Sequence, residues 1–535
     1  MNLINDPWLP FRRRDGEVEY EPPSAFANPE FVDLALPRAD FQGSAWQFLI
    51  GLLQTTSAPA NRKEWLHMWV EPPSPDELQA WLAPYAGTFE LFGDGPRFMQ
   101  DLDPMEQAKT APIEGLLIDA PGEQGLKQNT DHFVKRGVGE QMCPHCAGLA
   151  LLTMQLTGPA GGAGYRVGLR GGGPLTSVVL PHDQQASLWH KLLLNLLTRD
   201  HFTYPDPRPD DGCIFPWLVP TRTSEKGSPT PVTTPNDMHP LHVYWAVPNR
   251  YRLEVEDEAC QCRVCGRHDE RRVRTMRVTN YGYNYGGSWL HPLTPYRFDP
   301  EKSDPPISQK GQPGGIGYRH WESLVLKDEK DKGNLPAQVV QDYLTTKVDT
   351  LRFAPAAGIG SRQARLRVFG YDLKQNKPRG WYSTEMPLVA VADEHRDKML
   401  HWVRQLSETA EKTASQTRSA VKDAWFRRPG DAKGNFTFVD RRVWEATAPA
   451  FYACLKDIPA ELSRHTGLPP KIARLWQQVL RNQAIAIFDD LALSGETEAA
   501  DLKRVIAARS ELRGWLSKGK EMKNLRQAAE QEKAA

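Results

Sequence analysis

Two Cys-x-x-Cys pairs, far apart in the sequence, constrain this chain of 535 residues more than any other feature. The first pair comprises Cys143 and Cys146, and the second comprises Cys262 and Cys265. Each pair can present two thiolates from a tight turn, and two such pairs complete the tetrahedral shell of a structural zinc site. Because the pairs lie more than a hundred residues apart, the metal would cross-link everything between them. We therefore predict one structural zinc ion, held by these four cysteines.

Two residues beside the pairs, His145 and Cys260, offer further metal ligands. Both rank second, because neither completes the matched spacing of the two pairs. The simpler alternative is four ordinary reduced cysteines, although two such pairs seldom arise by chance. A shell of four cysteines leaves no open position for water, so the metal would stabilise the fold and would not catalyse.

The charge balance of the chain bears on the partners that it can bind. The 66 basic and 66 acidic residues cancel, whereas a freestanding nucleic-acid binder usually has an overall basic charge. Contact with nucleic acid must therefore come from local clusters or from a surface shared with partners. No apolar run reaches the roughly 18 residues of a membrane span, and no secretion signal begins the chain. The seven cysteines, four of them paired by spacing, fit a reducing cytoplasm, so we expect a cytoplasmic protein without a membrane partner.

The first two thirds of the chain mix strand and helix signals. Asp15-Gly16 between alternating segments predicts a hairpin with a type I′ turn. Ser74 and Glu77 form a capping box that predicts a helix start. Further strands are predicted over 242–247, 271–278 and 364–371, and helices over 41–56, 75–85, 146–156, 183–197 and 335–347.

The composition changes after about residue 385, where glycine becomes scarce. Apolar residues at helical spacing predict long helices at about 392–427, 440–457, 469–491 and 497–531. Four helices with short connections fit a helix bundle. We therefore predict an α+β chain: a large mixed α/β domain over residues 1–384, which contains the zinc site, and a four-helix bundle over residues 385–535.

Three segments have features suited to nucleic acid. A polar and basic loop ahead of the first cysteine pair contains Phe133, Val134, Lys135 and Arg136. A glycine-rich loop contains Gly161, Gly162, Ala163 and Gly164. Such a loop lets backbone N–H groups approach a phosphate or a base edge, and Arg166 beside it supplies charge. The alternative, a plain turn, is the more common use of glycine-rich loops. The third segment is a strand with interleaved arginines, Arg274 and Arg277 among them, for which a solvated face is an equally good interpretation.

Taken together, these segments resemble the CasA family, the large subunit of the type I-E CRISPR surveillance complex called Cascade. The segments that carry the resemblance are both cysteine pairs, Asn2-Leu3-Ile4, Trp8-Leu9-Pro10, Phe133-Val134, Gly168-Leu169-Arg170-Gly171-Gly172 and Gly360-Ser361-Arg362-Gln363-Ala364. The resemblance spans nearly the whole chain, although residues 200–240 and the C-terminal third match mainly in character. Each motif is unspecific alone, but their combination is specific.

The resemblance implies a function. In the family, the large subunit of a crRNA-guided complex recognises the protospacer-adjacent motif on double-stranded DNA through the minor groove. It then initiates strand separation and R-loop formation and helps recruit the helicase–nuclease that destroys the target in antiviral defence. The implied partners are the other Cascade subunits, crRNA, the target duplex and that helicase–nuclease. Because A·T and T·A look nearly alike in the minor groove, this readout is expected to be tolerant.

The resemblance also assigns groove contacts to residues. The glycine-rich loop is one contact, and relatives have a glycine where this chain has Ala163. A second family contact is a lysine, whose position falls on Asn280. Since Asn280 lacks the charge, Arg277 or Arg274 is expected to supply it.

Two further segments take roles from the resemblance. The loop of residues 133–136 corresponds to one that docks against the 5′ end of the crRNA and neighbouring subunits, and the alternative for it is a disordered surface loop. Gln363 corresponds to a glutamine that wedges in at the first base pair to be opened, where a neutral amide avoids the desolvation cost of a charge. Arg362, an asparagine in relatives, is expected to add a phosphate contact, and Ala364 completes this segment. The alternative for the whole segment is a surface turn without a role.

Common catalytic motifs are absent from the sequence. It contains no GxxxxGK[ST] phosphate loop, no HExxH helix and no GxSxG elbow. We therefore predict a binding subunit without enzymatic activity. The alternative is a zinc-dependent hydrolase or nuclease, and the closed four-cysteine shell argues against it.

Overall fold

The computed structural model describes residues 1–120, 137–328, 333–351, 363–493 and 501–530. The chain divides into two compact units. The first unit comprises Met1–Gly311, Lys327–Ser361 and Arg367–Ser383, and the second comprises Gln312–Leu326, Arg362–Leu366 and Thr384–Ala535. No helix in the described ranges is both long enough and apolar enough to cross a membrane.

The α-helices before residue 390 are mostly short. They are α1 (Ala39–Thr56), α2 (Arg62–Val70), α3 (Pro75–Leu82), α4 (Pro144–Thr157), α5 (Leu188–Leu193), α6 (Trp321–Val325), α7 (Gln338–Asp342) and α8 (Val348–Leu351). A π-helical turn, Tyr343–Lys347, joins α7 to α8. The later helices are α9 (Arg396–Trp425), α10 (Thr437–Glu461), α11 (Pro470–Ala492), α12 (Leu502–Lys518) and α13 (Lys520–Glu530).

The strands form small sheets. They are β1 (Leu9–Arg13), β2 (Val18–Glu21), β3 (Phe31–Leu34), β4 (Lys109–Pro112), β5 (Thr176–Pro181), β6 (Arg250–Glu256), β7 (Cys260–Gln261), β8 (His268–Asp269), β9 (Arg272–Thr279), β10 (Tyr296–Arg297), β11 (Ile307–Ser308), β12 (Asn334–Leu335), β13 (Gln363–Lys374) and β14 (Lys377–Val389). The strand orders are β2-β1-β3, β4-β9-β6, β11-β10-β12, β14-β13-β5 and β7-β8. This mixture of helices and sheets confirms the predicted mixed α/β class.

The predicted N-terminal hairpin is present as β1 and β2, which pair antiparallel, but its predicted turn type is wrong. A type I′ turn needs positive φ at both central residues. Gly16 has a φ of +98°, whereas Asp15 is not among the residues with positive φ. The N–H of Gly16 donates to the Arg13 carbonyl at 3.0 Å, and the Arg13 N–H donates to the Glu17 carbonyl at 2.8 Å. The connection is therefore a type I turn followed by a left-handed glycine.

The capping box predicted for α3 is confirmed. The Glu77 N–H donates to Ser74 Oγ at 3.2 Å, and the Ser74 N–H donates to Glu77 Oε2 at 2.8 Å. Pro75 occupies the first helical position, where its missing N–H costs nothing.

Two other predicted elements differ in the structure. Residues 242–247 are not a strand, because a 3-10 helix covers Pro240–Tyr244. The His239 ring accepts the N–H of Leu241 at 3.1 Å, and this cap favours a helical turn. The apolar run there reflects burial on every side, which periodicity alone does not distinguish from a strand. The helix predicted over 183–197 is limited to α5.

Helices α1 and α4 pack together at the centre of the first unit. Almost every residue of α4 is buried, which is why its sequence lacks a polar face. Thr153 on α4 donates to Ser44 Oγ on α1 at 2.9 Å within this core. Packing on all sides therefore holds helix α4 in place, together with the residues at its two ends.

The second unit is dominated by α9–α13, so the prediction of a helical C-terminal region is confirmed. Helix α9 packs against α10, α11 and α12, and α11 packs against α13. Tyr318 stacks on Phe451 with ring centroids 4.3 Å apart, and Trp476 packs against both rings. The fourth predicted helix is in fact two helices, α12 and α13, which meet at Gly519.

Candidate metal centre and nucleic-acid interface

The two distant cysteine pairs meet in space. The Sγ atoms of Cys143, Cys146, Cys262 and Cys265 all lie within 4.8 Å of one another. None of them forms a disulfide, and three are buried. The predicted convergence of the two pairs is confirmed.

The spacing of the sulfur atoms fits a tetrahedral metal ion. Four thiolates bound to Zn²⁺ at about 2.3 Å would lie about 3.8 Å from one another along the edges of the tetrahedron. The Sγ atoms of Cys143 and Cys265 are 3.8 Å apart. An all-sulfur donor set suits a soft or borderline ion such as Zn²⁺ and not Mg²⁺ or Ca²⁺. These residues therefore fit the predicted zinc as a closed structural site.

The first pair lies at the start of α4. Cys143 is the N-cap, Pro144 takes the first helical position, and Cys146 lies in the first turn. The positive end of a helix dipole stabilises thiolates. Contacts within the sulfur group raise the pKa of the Cys146 thiol, and they lower the pKa of the Cys265 thiol.

The second pair lies on the hairpin formed by β7 and β8. The Cys262 N–H donates to the Arg267 carbonyl at 2.8 Å, and the Gly266 N–H donates to the Cys262 carbonyl at 2.9 Å. Gly266 has a φ of +75°, a conformation that glycine adopts without cost. The hairpin thus turns both sulfur atoms toward the same point.

Backbone hydrogen bonds also join the two pairs. The Arg263 N–H donates to the Gln141 carbonyl at 3.1 Å. Met142 and Val273 exchange two bonds, of 3.0 and 2.8 Å. The start of β9 is therefore held against the residues that precede α4.

The two alternative ligands, His145 and Cys260, lie outside the sulfur group. His145 Nδ1 lies 2.9 Å from a guanidinium nitrogen of Arg267. Burial, with the Arg267 charge adding to it, lowers the pKa of His145 to about 4, so its neutral ring accepts this hydrogen bond. Arg267 also lies over the Tyr20 ring at 4.5 Å. The Cys260 thiol donates to the Arg271 carbonyl at 3.7 Å.

The glycine-rich loop follows the C-terminal end of α4. Gly162 and Gly164 have φ values of +64° and +77°. A Cβ on Gly162 would meet no atom within 4 Å, whereas one on Gly164 would lie 2.8 Å from the Tyr281 ring. Ala163 is not among the residues with positive φ, so its methyl group does not strain the loop.

Asn280 lies against this loop, although the two are far apart in the sequence. Its Nδ2 donates to the Ala163 carbonyl at 2.7 Å. The adjacent Tyr281 N–H donates to the Gly164 carbonyl at 2.7 Å. The structure therefore brings together two segments that the sequence assigned separately to groove contact.

The same two elements link this loop to the metal centre. Helix α4 runs from Cys143 toward the loop, and its 14 residues span about 21 Å. Strand β9 runs beside it from near Met142 toward Asn280, and its 8 residues span about 27 Å. The four-cysteine group therefore lies at one end of both elements, and the loop and Asn280 lie at the other.

Arg166, which follows the glycine-rich loop, contacts Ser224 and Tyr281. Its Nε donates to Ser224 Oγ at 2.8 Å, and its guanidinium lies 5.9 Å from the centre of the Tyr281 ring. Tyr281 has a φ of +64°, which is uncommon for a non-glycine residue. Strained backbone of this kind concentrates at functional sites.

The two arginines of β9 that the sequence assigned to nucleic acid, Arg274 and Arg277, differ in their surroundings. Arg277 Nε donates to Glu254 Oε1 at 2.9 Å, and its Nη1 donates to the Pro104 carbonyl at 3.1 Å. Arg274 is exposed, and no ion pair to it occurs within the described ranges. Arg277 is therefore partly neutralised, whereas Arg274 is accessible to a phosphate.

A comparison with protein families identifies the chain. Residues 2–487 match the family model of CRISPR-associated protein Cse1. The chain belongs to the Cse1 family, also called CasA. This confirms the resemblance seen in the sequence, and the match contains both cysteine pairs and the glycine-rich loop.

Solved structures show the same fold. The crystal structure of CasA from Thermus thermophilus is 20% identical with a TM-score of 0.67, and the match covers 97% of this chain and 99% of that one. Thermobifida fusca Cse1 is 18% identical with a TM-score of 0.67, covering 98% of each chain. A chain from a CRISPR RNA-guided surveillance complex is 17% identical with a TM-score of 0.64, covering 97% and 99% respectively.

Several predicted contacts of this Cse1 protein fall at or beyond the limits of the described structure. Residues 133–136 and Arg362 lie outside the described residues. Gln363 is the first residue of β13, and nothing is described of its side chain. Ala364 is 3% exposed, so its methyl group packs inside the protein.

Sequence reasoning missed two residues beside these sites, Tyr281 and Arg267. Tyr281 closes the glycine loop, and Arg267 bridges the second cysteine pair to His145. The Tyr-Gly step after β9 was an available signal for a tight turn. Arg267 offered none, because its partners lie far away in the sequence.

Proposed function

We propose that this Cse1 protein is the large subunit of a crRNA-guided Cascade complex and recognises the protospacer-adjacent motif on double-stranded DNA. The observation that carries the proposal is the hydrogen-bonded junction of the glycine loop with Asn280. The open space at Gly162 leaves room for a minor-groove edge to approach the backbone. An amide and backbone groups can read the few donors and acceptors of that groove.

The remaining steps of the proposal follow from family membership. The protein assembles with crRNA and the other Cascade subunits in the cytoplasm, with residues 133–136 docking at the 5′ end of the crRNA. It initiates R-loop formation at Gln363 beside Arg362 and helps recruit the helicase–nuclease. One structural zinc ion stabilises the domain over residues 1–384, and α9–α13 act as its four-helix bundle, with α12 and α13 as the fourth member. The protein has no catalytic role of its own.

Gly162→Asn tests the groove contact. Asparagine tolerates positive φ, so the variant should fold normally while placing an amide in the open space. We expect the assembled complex to bind motif-containing duplex roughly tenfold more weakly, or about 1.4 kcal/mol. Gly16→Asn is the matched control, because Gly16 also has positive φ and open space around its Cα but lies in the N-terminal hairpin. Equal affinities of the two variants in a gel-shift titration would refute the groove contact.

The isolated chain should bind duplex DNA weakly and with strong salt dependence. Its net charge is zero, so binding relies on local arginines that release counterions from phosphates. We expect no ATP hydrolysis and no DNA cleavage. Fluorescence anisotropy at several salt concentrations measures how the binding constant depends on salt. Tight, salt-insensitive, sequence-specific binding by the isolated chain would contradict this prediction.

A further inference from the structure

Two arginines face each other across strands β6 and β9. Arg252 and Arg277 are direct partners in the antiparallel register. Like charges directly opposite one another destabilise a sheet. A pair of this kind therefore needs either a compensating acid or another source of negative charge.

A third arginine lies beside this pair. Arg97 Nη1 donates to the carbonyl of Leu253 at 3.1 Å, the residue that follows Arg252. Its Nε donates to the Gly93 carbonyl at 2.7 Å. Arg97, Arg252 and Arg277 thus form one group, which we call the arginine cluster.

The nearby carboxylates compensate this group only in part. Glu254 pairs with Arg277 at 2.9 Å, and Asp101 pairs with Arg250. Within the described ranges, neither Arg97 nor Arg252 has a carboxylate oxygen within ion-pair distance. Arg252 is 7% exposed and donates from Nη1 to the Asp101 carbonyl at 2.7 Å.

The electrostatics of the cluster agree with this pattern of contacts. Burial lowers the pKa of Arg97, and Arg252 and Arg277 lower it further, while Asp94 opposes them. Burial also lowers the pKa of Arg252, and Arg277 lowers it further, whereas Asp101 and Asp103 raise it. The guanidinium groups destabilise one another, and a bound anion would relieve that repulsion.

We propose that Arg97 and Arg277 bind a backbone phosphate of the target duplex, with the buried Arg252 adding positive charge behind them. This inference rests on the proposed function, because it adds a phosphate contact to the same DNA. Arg277 lies three residues from Asn280, at most about 10 Å along the chain. Two sites this close can contact one duplex, with the cluster fixing its register and the loop reading its bases.

The test replaces Arg97 and Arg277 with glutamine, singly and together, in the assembled complex. Arg252 is left unchanged, because its burial makes misfolding a risk. We expect binding to weaken about fivefold to tenfold on every duplex, with or without the motif. The slope of log K against log salt concentration should fall by about 0.9 for the lost phosphate contact. Arg272→Gln is the matched control, since Arg272 lies on the same strand but is paired with Glu256 and Glu258.

The outcomes separate this inference from the proposed function. If the salt slope of the double variant is unchanged and its motif preference is intact, the arginine-cluster proposal is refuted and the proposed function is not. If the Gly162→Asn complex loses its motif preference, and the arginine substitutions still reduce the salt slope, both proposals are supported. If the wild-type complex prefers no motif, the proposed function fails, and the slope on motif-free duplex still decides the cluster.

A second measurement distinguishes duplex phosphate from free phosphate. Inorganic phosphate is titrated into the wild-type chain and into the Arg97→Gln variant, and the melting temperature is recorded. Stabilisation of the wild type alone by millimolar phosphate, together with the reduced salt slope, supports the site as a phosphate binder that DNA occupies. Stabilisation by phosphate with an unchanged salt slope would assign the cluster to a free anion and overturn the proposal.

Discussion

Replacing both Cys143 and Cys262 with serine is expected to abolish metal binding and to destabilise the first unit severely. Each remaining pair keeps one thiolate, and two thiolates cannot complete a tetrahedral shell. A metal held by the four cysteines would close a loop of more than a hundred residues, and a cross-link over about 100 residues is worth about 4.7 kcal/mol. Loss of that amount is comparable with the total stability of many domains. Helices α9–α13, which contain no member of the sulfur group, should keep their own melting transition.

Elemental analysis and thermal unfolding monitored by circular dichroism measure both effects. The wild type should contain about one zinc per chain and the double variant none. Cys260→Ser is the matched control, because Cys260 lies two residues from the second pair but outside the sulfur group. It should keep its metal and nearly all of its stability. Full metal retention in the double variant would refute the four-cysteine site, and metal loss in Cys260→Ser would assign a ligand role to Cys260.

Replacing Gln363 with alanine is expected to slow R-loop formation on an intact duplex by roughly tenfold to a hundredfold. Unstacking one base step costs on the order of a few kcal/mol. Each 1.4 kcal/mol changes an equilibrium constant by a factor of ten. An alanine side chain can neither fill the stacking space nor bond to base edges. Initial duplex binding should change little, because the loop and Asn280 are untouched. The substitution is confined to Gln363 since Ala364 is buried and belongs to the core.

The design that isolates the wedge compares two targets. One is an intact linear duplex, and the other has a mismatch beside the motif, so its first pair is already open. R-loop formation by the Gln363→Ala complex should recover on the mismatched target. Gln184→Ala, at an exposed loop position, is the control for loss of a glutamine side chain. An equal defect on both targets would show that Gln363 is not a wedge.

The four-cysteine group was predictable because each Cys-x-x-Cys pair is a local signal. A CxxC pair specifies a turn that presents two sulfur atoms, and four matched cysteines leave few alternatives. The Ser74–Glu77 capping box was readable for the same reason. The turn at Gly16 was misassigned, because one glycine is compatible with several turn types and the neighbouring pairing decides between them.

The proposed groove interface was only partly predictable from the sequence. The glycine loop and Asn280 each drew attention, through composition and family resemblance. Their hydrogen bond depends on α4 and β9 ending at the same place, which no local pattern encodes. The contact of Arg97 with β6 is likewise a product of tertiary packing, and more than 150 residues separate it from Leu253.

The backbone conformation of the glycine loop determines which of its positions tolerate substitution during evolution. Gly162 and Gly164 carry the unusual torsion angles, while Ala163 between them does not. Residue 163 can therefore be replaced by other residues through single-codon changes, while the backbone conformation of the loop stays the same. Under the proposed function, substitution at this one position offers a route to recognising an altered motif, because the surrounding loop tolerates variation there.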